Sequence, residues 1–147
     1  MQKTFVMIKP NGVLNGLIGR VIARYESSGL SVCGIKILHP SKEKVEGFYA
    51  EHKGREFFEP LVDFMSSGPT VMMVLSGNEA IKVARAINGA TNPDEAAPGT
   101  IRYDYAPNTR MNVVHSSDSE ESAEREMFYW FDESEIVSYK ISKSIAV

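Results

Sequence analysis

The run Val71-Met72-Met73-Val74-Leu75, entered through Gly68-Pro69 and left through Ser76-Gly77-Asn78, constrains the fold more than any other stretch. It is far too short to cross a bilayer, and turn-forming residues flank it. A short apolar run with such boundaries reads as a buried strand, here Thr70 to Ser76. The other elements fall in order around it. Thr4 to Lys9 reads as a first strand, stopped by a Pro10-Asn11-Gly12 turn. From Leu17, the positions Ile18, Val21, Ile22 and Tyr25 follow helical spacing, with Gly29 as the stop. Leu30 to Leu38 is a second strand, with Cys33, Ile35 and Ile37 alternating onto one face. Ser41 to Ser66 reads as helical in two pieces broken at Gly54. After the buried strand, Asn78 can cap a helix whose stripe is Ala80, Ile81, Ala84 and Ile87, ended by Gly89. Ala90 to Arg110, punctuated by Pro93, Pro98, Gly99 and Pro107, reads as a long irregular loop of the kind that is often functional. Met111 to His115 is a fourth strand and Ser119 to Phe131 the last main helix. The tail, Ile136 to Val147, alternates weakly and suits an extended path over the surface or a neighbour.

This order predicts an α/β (α+β) plait: a ferredoxin-like β-α-β-β-α-β antiparallel sheet with additional helices and one long loop. There is no internal repeat or linker, so residues 1–147 are expected to form a single domain. A net charge of −3 and a pI near 5.6 give no global attraction to nucleic acid or acidic membranes. Any anionic ligand must then be held by a local cluster of bases. Cys33 is the only cysteine, which excludes an internal disulfide and a cysteine zinc cluster. Met1 to Lys9 lacks the apolar core of a signal peptide, so the expected location is cytoplasmic, with no membrane partner.

The string NVVHSSDS, Asn112 to Ser119, carries the chemistry. Val113 and Val114 deliver His115 to the start of a helix, where Ser117, Asp118 and Ser119 are all strong N-cap residues. Ser117 with Glu120, or Asp118 with Glu121, has capping-box spacing. The imidazole is expected beside backbone N–H groups that favour an anion. With an ordinary pKa near 6.5, a histidine there is a neutral nucleophile near pH 7, suited to phosphate chemistry. Glu126, about two turns into the following helix, can return to hold the ring, or it can be a solvated helix residue. His39 and His52 read as surface or structural residues. No Walker A loop occurs, and Gly12, Gly16 and Gly19 make no dinucleotide fingerprint. Phosphate binding then falls to bases such as Lys9, Arg85 and Arg102, each of which alone reads equally as an exposed charge. Phe57 or Phe58 can stack on a nucleobase or pack in the core. The Thr91 hydroxyl, in a turn-like stretch, can meet phosphate or cap the turn.

The strings MIKPNGV, YAEHKGREFF, FMSSGP, GATNP, APGTIR and NVVHSSDS occur in this order between Lys3 and about Phe131. With them the chain closely resembles the nucleoside diphosphate kinases. The resemblance implies ping-pong transfer of the γ-phosphate of a nucleoside triphosphate, typically ATP, to His115 and then to a nucleoside diphosphate. It implies that Glu126 orients the ring, and that Lys9 contacts the sugar and the transferring phosphate, with Tyr49 nearby. It implies that Phe57 stacks on the base, that Arg85, Thr91 and Arg102 bind phosphates, that Asn112 contacts the ribose, and that Ser117 lies beside the histidine. Mg²⁺ is expected to be carried by the nucleotide phosphates, with no metal ligand assigned to the protein, and the assembly to be a homo-tetramer or homo-hexamer. Three residues depart from the family pattern: Asn11 where aspartate is usual, Tyr103 where glycine is common, and Ser116 where glycine or alanine is usual. Tyr103 puts a bulky ring in the nucleotide loop.

Two other classes fit the plait. An RNA- or metabolite-binding module would show paired aromatics on its central strands, which Val71 to Leu75 and Leu30 to Leu38 lack. A protein-histidine phosphocarrier would have no need of Phe57, Asn112 and the arginines.

Overall fold

The computed structural model describes residues 1–142. Four strands, β1 (Gln2–Ile8), β2 (Ser31–Leu38), β3 (Thr70–Gly77) and β4 (Val114–Ser116), form one antiparallel sheet in the order β2-β3-β1-β4. This is the expected plait. The apolar run lies in β3, which is buried at every position because both faces of the sheet are covered. Toward one face, Val6, Ile8, Val71, Met73 and Leu75 pack with helices α2 (Ile18–Ser27) and α5 (Ala80–Asn88) through Val21, Tyr25, Ala80 and Ala84. Toward the other, Phe5, Met7, Met72 and Val74 pack with α3 (Lys42–Phe48), α4 (Phe58–Met65) and α7 (Glu120–Trp130) through Val45, Val62, Met127 and Trp130.

The register of β4 decides where chemistry can occur. His115 pairs with Met7, and Ser116 with Val6. Side chains alternate across a sheet, so His115 joins the face covered by α3, α4 and α7, while Ser116 joins the face of α2 and α5. On that second face Asn88 donates to Ser116 Oγ (3.0 Å) and accepts from the Tyr25 hydroxyl (2.5 Å). The serine that departs from the family pattern therefore completes a buried network.

Several local expectations change. Pro10-Asn11-Gly12 is not a turn but the start of a short helix, α1 (Pro10–Leu14), with proline at its first position, where the missing N–H costs nothing. Asn78 does not cap α5. Glu79 occupies the cap with φ 48°, and Gln2 Oε1 accepts from the Ile81 N–H (2.9 Å) in place of a local side chain. The 90–110 loop is partly ordered: Thr100 caps a helix, α6 (Ile101–Tyr105), which turns Arg102 inward and leaves Tyr103 54% exposed. The ring of Tyr103 thus points away from the chain's interior. The strand predicted over Met111 to His115 begins only at Val114, because Val113 has φ 74° and the Val114 N–H reaches back to the Asn112 carbonyl (2.9 Å). The capping box of α7 pairs Ser119 with Ser122, not Ser117 with Glu120 or Asp118 with Glu121. In β2 a bulge between Val32 and Gly34 shifts the alternation, so Cys33 is buried while Ile35 and Ile37 are exposed. Residues 136–142 of the tail run extended beside β2, with the Val137 N–H donating to the Cys33 carbonyl (2.8 Å). The rest of the predicted tail lies outside the described residues.

Candidate active site

Beside His115 opens a cavity of about 350 Å³, lined among others by Lys9, Arg85, Thr91, Arg102, Asn112, Asp118 and Glu126. The histidine is held from two sides. Its ring packs edge-on against Phe48 of α3, with centroids 5.6 Å apart, and its Nε2 lies 2.8 Å from Glu126 Oε1. The same oxygen accepts from the Ser117 hydroxyl (2.8 Å), which is itself fully buried. A carboxylate oxygen only accepts, so Nε2 carries the proton and Nδ1 keeps its lone pair. Glu126 stands three residues beyond Ala123 on the buried side of α7, and the Ser119–Ser122 box fixes where that helix starts.

The basic wall comes from separate elements. Lys9 follows β1, and its N–H donates to the Val113 carbonyl (2.7 Å). Its ammonium is buried, and that burial, with the Arg102 guanidinium close by, pulls it down to about 7. Arg102 reaches from α6 to three carbonyls, those of Gly89 (2.7 Å), Val114 (2.7 Å) and Asn112 (3.4 Å). Burial lowers it to about 10, so it stays charged at neutral pH. Arg85 projects from α5 and is exposed. Asp118 is held below the usual carboxylate range, first by the hydrogen bond from Ser122. The amides of Asp118, Ser119 and Ser122 are taken by serine hydroxyls. The positive character of the cavity therefore rests on side chains rather than on the helix start expected to supply it.

Asn112 donates from Nδ2 to the Thr91 carbonyl (3.1 Å), while its Oδ1 is buried with no partner among the described residues. Phe57 lines a second cavity of about 270 Å³ with Lys9, Leu61, Thr109 and Arg110. Tyr49 is buried between Phe48 (4.8 Å) and His52 (6.4 Å) and does not line the cavity; burial, with Glu126 nearby, pushes its hydroxyl pKa up. Ser117 likewise sits behind the histidine. Among the described residues no group of three or more His, Cys, Asp or Glu could hold a metal ion.

These are the features of a nucleotide phosphotransferase, and comparison with known proteins decides the matter. The family model described as nucleoside diphosphate kinase matches residues 2–136. The chain belongs to the nucleoside diphosphate kinase family. A nucleoside diphosphate kinase of Archaeoglobus fulgidus is 52% identical over 140 residues, 95% of this chain and 93% of the relative. The solved structure of a nucleoside diphosphate kinase family protein from Babesia bovis aligns with TM-score 0.91 and 43% identity, over 97% of this chain and 96% of that one. A halophilic nucleoside diphosphate kinase from Halobacterium salinarum, solved with CDP, aligns with TM-score 0.92 and 42% identity, over 95% and 93%. This chain is thus an enzyme of nucleotide phosphate transfer, a kinase.

The fold brings the residues singled out in the sequence to two adjoining cavities, with Tyr49 and Ser117 one layer behind. It also brings in residues that sequence reasoning passed over. His52, read as surface or structural, lines the histidine's cavity and packs its ring 5.2 Å from Phe57. Arg125 lines the rim, 3.8 Å from Glu126 Oε2 and 3.9 Å from Glu51. The inward–outward order of α7 could have placed Arg125 beside Glu126; nothing local marks His52. Asn11 donates from its amide to the Met111 carbonyl (2.8 Å), a bond that an ionised aspartate cannot make.

Proposed function

We propose that this enzyme transfers the γ-phosphate of a nucleoside triphosphate to a nucleoside diphosphate by a ping-pong route through a phosphohistidine on His115. One observation carries the proposal. His115 presents Nδ1 with a free lone pair because Glu126, itself steadied by Ser117, accepts the hydrogen bond from Nε2–H and so keeps the proton on that nitrogen. In the first half-reaction Nδ1 attacks the γ-phosphorus, the bond from phosphorus to the β–γ bridging oxygen breaks, and the diphosphate leaves with that electron pair. In the second, a terminal oxygen of the acceptor's β-phosphate attacks the same phosphorus, and Nδ1 recovers its pair. The carboxylate stabilises the imidazole while it carries phosphate.

Lys9, Arg85 and Arg102 would neutralise the charge that builds on the phosphoryl oxygens, with Thr91 as a further donor. Asn112 Oδ1, a buried acceptor without a partner among the described residues, suits a ribose hydroxyl. Phe57 suits stacking on the base, and Tyr49 would back Phe48, the ring that flanks His115. Glu126 is engaged by the histidine, and the described carboxylates form no metal cage, so the donor set fits Mg²⁺ arriving on the phosphates. The ion would offset phosphate charge. A phosphocarrier without nucleotide specificity would have no use for the slot at Phe57. The same reading treats residues 1–147 as a single catalytic domain acting in the cytoplasm, and no described helix is long and apolar enough to cross a membrane. It takes a homo-oligomer, tetramer or hexamer, as the working form, which light scattering would size.

The test is direct. Incubation with labelled nucleoside triphosphate and Mg²⁺ is expected to give an acid-labile, base-stable phosphoprotein, and His115→Ala to give none. Undiminished label in that variant would overturn the assignment.

A further inference from the structure

Lys9 lines both cavities, the one at His115 and the slot at Phe57. A single ligand with its phosphates at His115 therefore passes Lys9 and ends between two walls. One wall is Phe57, with Leu61 one turn later on α4. The other is Thr109 and Arg110, from the loop after α6. That loop is anchored on both sides of its tip. Asn108 Oδ1 accepts from the Met111 N–H (2.8 Å), and Asn11 Nδ2 donates to the Met111 carbonyl (2.8 Å).

Arg110 is exposed and, among the described residues, makes no hydrogen bond, ion pair or ring contact. It lines the slot but not the cavity that holds Arg85, Arg102 and His115. Arg110 thus stands at the base end of the ligand, not the phosphate end. The planar fork of arginine matches two adjacent acceptors, and guanine presents them as O6 and N7. Adenine puts an amine donor beside N7, and the pyrimidines have no N7.

We infer that Arg110 is a specificity-determining residue that biases this site toward guanine nucleotides, by pairing with the O6/N7 edge of a base stacked on Phe57. The inference rests on the nucleotide reading of the site given above. Stacking on Phe57 engages a face common to all bases, so the bias comes from Arg110.

The experiment compares GDP, ADP and CDP as acceptors from the phosphorylated enzyme, in the unaltered protein, Arg110→Ala and Arg110→Lys. The expected result is a kcat/KM for GDP at least about fivefold above that for ADP and CDP, at the lower end of bidentate base discrimination. Arg110→Ala should collapse that ratio toward one. Arg110→Lys, which keeps the charge and loses the fork, should not restore it. A merely structural or phosphate-binding role for Arg110 would lower all three acceptors together, leave the ratio intact and overturn the inference. Equal use of all three acceptors by the unaltered protein would overturn it as well. Failure of the underlying reading looks different: no phosphoprotein would form from any nucleoside triphosphate.

Discussion

Lys9 sits buried at the junction of the two cavities and, among the described residues, pairs with no carboxylate; its ammonium is held at about 7 by burial and by Arg102. The folded protein therefore binds fewer protons than the unfolded chain from about pH 7 up to the ordinary lysine range. Stability must rise with pH across that window, and the empty site is at a disadvantage below it. A nucleotide's phosphates reverse the balance by favouring the charged lysine, so binding near neutral pH should take up a proton, which calorimetry in buffers of different ionisation enthalpy would measure. Lys9→Met should raise the stability of the nucleotide-free protein by about 1–4 kcal/mol in urea unfolding, as expected when a buried charge is replaced by an apolar chain of similar volume. The same change should sharply depress phosphotransfer; a loss of both stability and activity would contradict this account. At this scale the strings around Lys9, Phe57, Arg102 and His115 point to a site only through their resemblance to a family, because Lys9 and Arg102 alone read equally as exposed charges and Phe57 as core. Arg110 and His52 are not legible in that way, because an exposed arginine in a loop and a histidine in a polar helix look alike in any sequence until the fold sets them against Phe57.

Among the elements, the approach of α1 to the residue before β4 is the tightest constraint on the histidine. Val113 is β-branched yet has φ 74°, and the bond from the Val114 N–H to the Asn112 carbonyl closes a strained three-residue turn. Gly12 lies against it: a Cβ there would stand 2.8 Å from Ile8 Cγ2 and 3.1 Å from Val113 Cγ1. Gly12→Ala is expected to destabilise the fold by about 1–3 kcal/mol in urea unfolding, as overpacking does. Because the displaced segment leads into His115, phosphorylation should slow as well. Unchanged stability and rate would show that the turn can give way freely. Neither this turn nor the bulge in β2 could be read from residue types, since valine favours strands and Cys33-Gly34-Ile35 alternates plausibly without one. Asn78 fails as a cap for a related reason: Gln2, distant in sequence, supplies the acceptor that α5 uses. The stripes of α2 and α5 are legible because their apolar spacing coincides with the buried face.

Over the whole molecule, the site exists only where β1, β4 and the helices α4 to α7 meet, so it draws on segments from Lys9 to Glu126. Composition points the other way, with a net charge of −3, yet the fold gathers Lys9, Arg85, Arg102 and Arg125 into one cavity. The plait itself follows from element order; the pairing of its edge with the tail does not, because the contacts hang on a bulge. That bulge also governs the reach of reagents. The only thiol in the chain is buried at Cys33, whose carbonyl accepts the Val137 N–H, while the Tyr139 hydroxyl bonds the neighbouring Val32 carbonyl (2.7 Å). Alkylation of the buried Sγ requires a local opening, and where lifting of the tail from β2 supplies it, the labelling rate measures how often it lifts. Val137→Pro deletes the N–H far from His115, and should speed labelling by iodoacetamide about three- to tenfold, the worth of one hydrogen bond, with phosphotransfer unaltered. Labelling at the original rate would mean that the thiol is shielded by the sheet alone. Otherwise a single cysteine, inert in the chemistry, keeps time for the lifting of residues 136–142 from β2.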